Sequence, residues 1–582
     1  MIAKLVKSIC FYYLAAAVLS GQFAGAMALS VQTKDHSSQE WVNSPSGEEA
    51  GVSVVVLSSL ERVLQDQTDV TGTQEAEIFS AKNEYESFQI VVLNPTSKSV
   101  SSVKIKTGNW SFEGSAPTGV PELTLFREHY VQIKKASPRS GGKRGWYPDA
   151  LIPFVNPYTR KKITEAKYLA ADQNVAPLKS QGYWIDVYVP ANTQAGVYAN
   201  EISVLSDDKV LAVVPVKLTV WDFELPKVHN LKTYFYWLRD LSSYHMVDKE
   251  SATYKILETH YENYLSNYGL TLTFQEPPGP VTYSDGRMIF RESYRRRVRA
   301  YIDRMHPSVF RIKLLFVHEP EARVRYLSHW EEFLKVNPWI PQAIIYFDEP
   351  SEIKAYERII TYGKAMKRYS PHIKLLVTEQ IRPQGPDFPS MEGVVDIWVP
   401  LWHLANPTDI KRRQLAGDEV WSYVALTQST EVPTWLIDFP LVNYRIPAWF
   451  SRSLDLKGIL YWSIMSWAKK GKGTGIDPWT NSETHSSGRA VWNGEGSLIY
   501  PGYSAGIAGP VGSMRLKVFR DGLEDYDYFL ALDKQAGLDV SAKITAEIAR
   551  NFKSYNKDAD RYIETRFVVG EMIQGMVRGS DK

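Results

Sequence analysis

The feature that most constrains the fold is a change of rhythm at Leu225-Pro226-Lys227. Before it, strand-like segments are broken by turn residues; after it, strand-like segments alternate with helical ones. The later candidate strands are 232–237, 270–274, 310–316, 343–347, 373–377, 394–399, 419–424 and 457–462, separated by helical stretches such as 251–268, 291–305, 326–336 and 352–369. Eight such units predict a central closed (β/α)8 barrel of the TIM type over 228–485, with irregular connections between the fifth and sixth and between the seventh and eighth strands. The earlier segments, 87–93, 100–107, 122–133, 182–189, 196–205 and 211–221, predict an N-terminal antiparallel β-sandwich over 52–227. Alternation is clearest in Tyr183-Trp184-Ile185-Asp186-Val187-Tyr188-Val189. After the eighth strand, a long loop over 469–513 leaves the barrel's C-terminal face and helical sequence follows, so 486–582 reads as a C-terminal loop and helical region packed on the barrel.

The start of the chain reads as a targeting segment. Lys4 and Lys7 precede an apolar run over 9–19, and Ala24-Gly25-Ala26 or Ala26-Met27-Ala28 offers a cleavage site. A signal peptide over 1–28 and a polar tether over 29–51 are expected, placing the mature protein in a periplasm or outside the cell. The only cysteine, Cys10, lies within the signal, so the mature chain has no thiol for a disulfide, a metal or nucleophilic catalysis. No other stretch has the length and apolarity of a membrane span. Without Lys4 and Lys7 the 67 basic residues come level with the 65 acidic ones, which argues against a nucleic-acid partner. The cluster Arg295-Arg296-Arg297-Val298-Arg299 reads as a solvated helix face. With 17 Trp and 34 Tyr, the chain has aromatic side chains to stack on sugar rings, although core packing accounts for part of them.

The chemistry concentrates in Ala343-Ile344-Ile345-Tyr346-Phe347-Asp348-Glu349-Pro350, an apolar strand that ends in two carboxylates. Acids at the C-terminal ends of parallel barrel strands stand where active sites form. The alternative is that Asp348 caps the helix that follows. Glu319, Glu379 and Asp240 lie near other strand ends, and Trp237, Trp398, Trp402, Tyr423, Trp462 and Trp467 share that level. Carboxylates in an aromatic cradle describe a glycosidase site, while each aromatic taken singly also suits a barrel core. Two acids leaving one strand end are better placed to act together than to face each other across a sugar. One can protonate the glycosidic oxygen while the other orients a 2-acetamido group of the substrate, which then serves as the nucleophile. The scattered histidines and the missing His-Glu-x-x-His helix argue against a metal, and Gly471-Lys472-Gly473-Thr474-Gly475 lacks the context of a phosphate loop, so no cofactor is expected.

These residues resemble glycoside hydrolase family 123. The resemblance is carried by Ala81-Lys82-Asn83-Glu84-Tyr85-Glu86-Ser87-Phe88-Gln89, by Tyr346-Phe347-Asp348-Glu349-Pro350, by Val395-Asp396-Ile397-Trp398-Val399-Pro400, by Gly458-Ile459-Leu460-Tyr461-Trp462, and by a tail motif running from Ser513-Met514-Arg515-Leu516 to Arg520-Asp521-Gly522-Leu523-Glu524-Asp525-Tyr526. It implies a β-N-acetylgalactosaminidase acting through an oxazolinium intermediate, with Asp348 orienting the acetamido group and Glu349 as general acid and base. Arg445 also matches the pattern, either touching the sugar or the carboxylates or serving as a buried structural guanidinium. Trp237, Glu379, Trp398, Tyr423, Arg445, Trp462 and Trp492 are the candidate substrate-binding residues, and a glycan or glycolipid is the expected partner. Two other readings stay open: a glycosidase of the same fold for another sugar, pairing Asp348 with Glu379 or Glu319, and a carbohydrate-binding protein without catalysis.

Overall fold

The computed structural model describes residues 51–580 apart from 115–116, 238–240, 274–275, 427–428 and 468–474. The expected signal peptide, most of the tether, Asp240 and most of the glycine-rich stretch at 471–475 lie outside the described residues.

Two sheets form the N-terminal region. One orders Ser53–Ser58, Glu84–Asn94, Lys179–Val189, Glu122–Ile133 and Gly145–Pro153, all antiparallel. The other orders Ala76–Lys82, Lys209–Glu224, Gly196–Ser206, Val100–Thr107 and Gln173–Val175. Its pair Ala76–Lys82 and Lys209–Glu224 is parallel, a departure from the all-antiparallel expectation. The reason is local: a single residue, Asn83 at φ +58°, links Ala76–Lys82 to Glu84–Asn94 in the other sheet, so no hairpin fixes its direction. Ile90, Val92, Ile185 and Val187 from one sheet and Ile202, Val204, Val216 and Leu218 from the other share one apolar cluster. Trp184 and Asp186 on the opposite face of Lys179–Val189 are also buried, covered by the C-terminal region rather than by water.

Beyond Leu225 eight strands pair in parallel, in two ladders. Phe310–Arg311, Ala343–Phe347, Ile373–Val377, Ile397–Trp398 and Glu419–Val420 form one ladder, and Ser422–Val424, Gly458–Tyr461 and Lys232–Phe235 another. Because Glu419–Val420 and Ser422–Val424 are separated only by Trp421, the two ladders run into one curled sheet, which a parallel bridge from Phe235 to Leu272 extends. Among the described residues no strand pairing joins the segment at Leu272 to Phe310–Arg311; the chain between them forms a separate antiparallel pair, Val281–Thr282 with Met288–Ile289. Hydrogen bonds from Ser308 N–H to Thr271 Oγ1 (2.6 Å) and from Thr233 N–H to Ser308 Oγ (3.2 Å) span that junction. Alternate residues face opposite ways. Tyr234, Val309, Ile344, Leu376, Ile397, Trp421, Tyr423 and Leu460 gather on the concave side, whereas Phe235, Ile345, Leu375, Trp398 and Tyr461 pack toward the helices. Several strands are shorter than expected: the third keeps only Phe310–Arg311 and the sixth only Ile397–Trp398.

The described part of the predicted loop, 475–513, is more ordered than its polarity suggests. It holds the hairpins Glu483–Ser487 with Ala490–Asn493 and Ile499–Pro501 with Pro510–Gly512. The helix Met514–Ala536 follows, capped by the Ser513 hydroxyl, which accepts from Leu516 N–H, and closed by Gly537 at φ +62°. Its charged residues are buried and paired. Arg515 grips Asp149 through two bonds of 2.7 Å, Lys517 pairs with Asp186, and Asp525 accepts from Arg445 at 2.6 and 2.7 Å. This helix therefore joins the N-terminal sheets to the helix Val442–Ser453, and residues Ala50–Lys582 form one compact unit. No helix among the described residues is long and apolar enough to cross a membrane.

Candidate active site

Asp348 and Glu349 leave the buried strand Ala343–Phe347 as exposed residues, and each is held by a different neighbour. Strand alternation puts Ile344, Tyr346 and Asp348 on the concave face. Tyr346 donates its hydroxyl to Asp348 Oδ1 at 2.6 Å, and the Thr378 hydroxyl, just past strand Ile373–Val377, donates to the same oxygen at 3.0 Å. The same Thr378 oxygen accepts the Glu349 N–H at 2.9 Å. Glu349 sits at φ +32°, a left-handed backbone that few non-glycine residues adopt, and this redirects its side chain. Its Oε1 accepts the Tyr423 hydroxyl at 2.7 Å from the strand Ser422–Val424. These bonds engage Oδ1 of Asp348 and Oε1 of Glu349, not Oδ2 or Oε2. Burial pushes the Tyr346 and Tyr423 phenols well up, and the neighbouring carboxylates push them further, so both remain proton donors at neutral pH. The following helix begins at Ile353 with Glu352 in the cap position, so Asp348 is not its cap.

Glu379 follows Thr378 but is turned inward. Its oxygens accept from Gln384 Nε2 (2.6 Å) and Gln380 N–H (2.7 Å), and burial, with the Glu349 charge adding to it, raises its pKa. Glu319 is exposed at the start of the helix Pro320–Lys335. Trp462 and Trp492 are half-buried on either side of His485, with ring centroids 6.2 and 5.4 Å from the imidazole, and the Trp462 indole N–H donates to Glu495. The other three candidates do not join this group. Trp237 is enclosed in the apolar packing of sheet and helices. Trp398 faces the helices, donating at 2.8 Å to Asp418, which pairs with Arg413. Arg445 is 3% exposed and bound to Asp525, the structural alternative left open for it. Tyr346, Thr378, His485 and Glu495 escaped the sequence reading. Tyr346 was findable, because it precedes Asp348 by two on a strand. Among the described residues no group of three or more His, Cys, Asp or Glu is placed to hold a metal ion.

A curled parallel sheet with two carboxylates at one strand end is the arrangement of a sugar-cleaving site, and comparison with known proteins agrees: the chain is a glycoside hydrolase. Residues 320–532, which include Asp348 and Glu349, match the family model for the glycoside hydrolase 123 catalytic domain. The fold is similar to that of a family 123 glycoside hydrolase from Clostridium perfringens, studied for glycolipid glycan hydrolysis, with a TM-score of 0.63 at 14% identity, covering 91% of this chain and 98% of that one. A family 39 glycoside hydrolase from Bacteroides cellulosilyticus WH2 matches at a TM-score of 0.29 and 9% identity, covering 80% of this chain and 82% of that one. Among curated protein sequences none matches the chain.

Proposed function

We propose that this protein is a secreted or periplasmic exo-acting β-N-acetylhexosaminidase that releases N-acetylgalactosamine from glycans or glycolipids with retention of configuration. The carrying observation is that adjacent carboxylates are held by different strands, Asp348 through Tyr346 and Thr378 and Glu349 through Tyr423. Two acids fixed in this way suit two tasks on one sugar. The glycolipid glycans named for the Clostridium perfringens enzyme support the substrate class. The curled sheet is read as a (β/α)8 barrel closed at the Thr271–Ser308 junction, the paired N-terminal sheets as a β-sandwich, and residues 1–28 as the secretion signal.

In the proposed reaction Asp348 Oδ2 accepts the acetamido N–H and turns the acetyl oxygen toward the anomeric carbon. That oxygen forms a bond to the anomeric carbon as the glycosidic bond breaks, and Glu349 gives its proton to the departing oxygen. Asp348 offsets the positive charge of the resulting oxazolinium. Glu349 then takes a proton from water, the water oxygen bonds to the anomeric carbon, and the acetamido group is restored. Glu379, with its oxygens engaged by Gln384 and Gln380, is poorly placed to be a second catalytic carboxylate.

The test is Glu349→Gln on a series of aryl 2-acetamido-β-galactosides. General-acid catalysis is worth about 10²- to 10⁴-fold, so the variant should lose that much on poor leaving groups and far less on good ones. Equal losses on both would overturn the assignment.

A further inference from the structure

The turn Gly494-Glu495-Gly496 is built around Trp462. Both glycines hold left-handed φ, +77° and +64°. A Cβ on Gly496 would stand 2.4 Å from the Trp462 ring, so bare backbone is what lets the indole approach the turn. Between the glycines, Glu495 is 1% exposed, and its carboxylate accepts the Trp462 indole N–H and a backbone hydrogen bond from Leu426. The turn is fixed on its remaining sides as well. Glu495 O accepts from Thr484 Oγ1 (2.8 Å), Gly496 N–H donates to the Tyr461 hydroxyl (2.8 Å), and Gly496 O accepts from Ser466 N–H (2.7 Å). Trp462 leaves the strand Gly458–Tyr461 two residues beyond Leu460 of the concave cluster. Because the strands are parallel, it emerges at the same end of the sheet as Asp348 and Glu349, and it stays half-buried with part of its surface open. Burying a carboxylate is costly, and a tryptophan that served only as core would not need one.

We propose that Glu495 is a positioning residue: it locks the Trp462 indole in one orientation so that its open face forms a platform for the pyranose ring held at Asp348 and Glu349. Hydrogen bonding to the indole N–H removes the ring's freedom before the sugar arrives, and the tie to Leu426 couples the platform to the loop that follows Tyr423. The inference rests on the glycosidase reading above.

The experiment compares wild type, Glu495→Ala, Glu495→Gln, Trp462→Ala and the double variant E495A/W462A on 4-nitrophenyl 2-acetamido-2-deoxy-β-galactoside, with thermal unfolding as the check on folding. Loss of an ordered aromatic contact is expected to raise KM about five- to tenfold in E495A while kcat changes less than about twofold. E495Q, which keeps an acceptor oxygen, should restore KM. E495A should add nothing to W462A, because the two act as one unit. A wild-type KM in folded E495A, or effects that multiply in the double variant, overturns the inference and leaves the glycosidase reading intact. If E495A does not fold, Trp462→Phe, which keeps a ring and removes the N–H, takes its place: a raised KM supports the inference and an unchanged one overturns it. A wild-type protein inert on every aryl 2-acetamido glycoside would refute the proposed function, and this inference with it.

Discussion

At the scale of single residues, Asp348 and Glu349 differ in their contacts more than in their chemistry. Asp348 shares one oxygen between two hydroxyls, and Glu349 is turned by its left-handed backbone toward Tyr423. In the proposed reaction Asp348 offsets the charge of the oxazolinium, so Asp348→Asn, whose amide keeps a hydrogen bond but no charge, should cut kcat by about 10²-fold or more with unchanged thermal stability. Galactosides with a 2-hydroxyl in place of the acetamido group should not turn over at all. A glycosyl ester trapped on Asp348, Glu319 or Glu379 by a fluorosugar and found by peptide mass spectrometry would contradict both expectations. Tyr423→Phe deletes the hydroxyl that orients Glu349. It should lower kcat by about tenfold with KM nearly unchanged, as read from initial rates. The position of the pair at a strand end was legible in the sequence, because the apolar run Ala343–Phe347 stops at two acids. Their partners were not legible, because Thr378 and Tyr423 reach the pair only through strand neighbours distant in sequence.

At the scale of elements, the strand Glu122–Ile133 carries a group whose titration should be measurable. Glu128 is fully buried beside Gly182, neither of its oxygens has a hydrogen-bond partner among the described residues, and burial raises its pKa from 4.5 to about 8 despite the Arg62 cation. Below pH 4.5 both folded and unfolded states carry this proton. Between 4.5 and about 8 only the folded state keeps it, so the residue makes the protein less stable as pH rises through that window. Glu128→Gln should match wild type in Tm near pH 4.5 and exceed it by a growing margin toward pH 8, in thermal scans at fixed ionic strength. The neighbouring His129, lowered from 6.5 to about 4 by burial, has the opposite trend, with stability lost as pH falls through that range, but it is common to both proteins and cancels. Element order was largely readable, because strand and helix periods differ. The hairpin Glu483–Ser487 with Ala490–Asn493 was not, because its first strand, Glu-Thr-His-Ser-Ser, has no apolar alternation. Trp492→Ala on that hairpin should raise KM with the fold intact, as judged by an unchanged Tm.

At the scale of the whole molecule, the charged tail motif is a fastening rather than a solvated face. Arg445 and Arg566 converge on Asp525, Arg566 also reaches Glu84 and Glu86, and Lys517 and Arg520 converge on Asp186. Removing one partner of such a buried pair costs about 3–5 kcal/mol, so Arg445→Leu should lower Tm sharply. Calorimetry should still show one transition, since the same contacts join the N-terminal sheets to the catalytic domain; two separate transitions would contradict this. Sequence alone left Arg445 between sugar contact and structural cation, because its partner lies 80 positions away. The pairing also bears on how the protein is made. Asp149 precedes Arg515 by 366 positions, and Glu84 precedes the Tyr528 hydroxyl that bonds it by 444. On the ribosome, therefore, the N-terminal sheets emerge with acids whose partners are not yet synthesised. They can close fully only when the last helices arrive, so the first domain to be made is the one that waits longest to be finished.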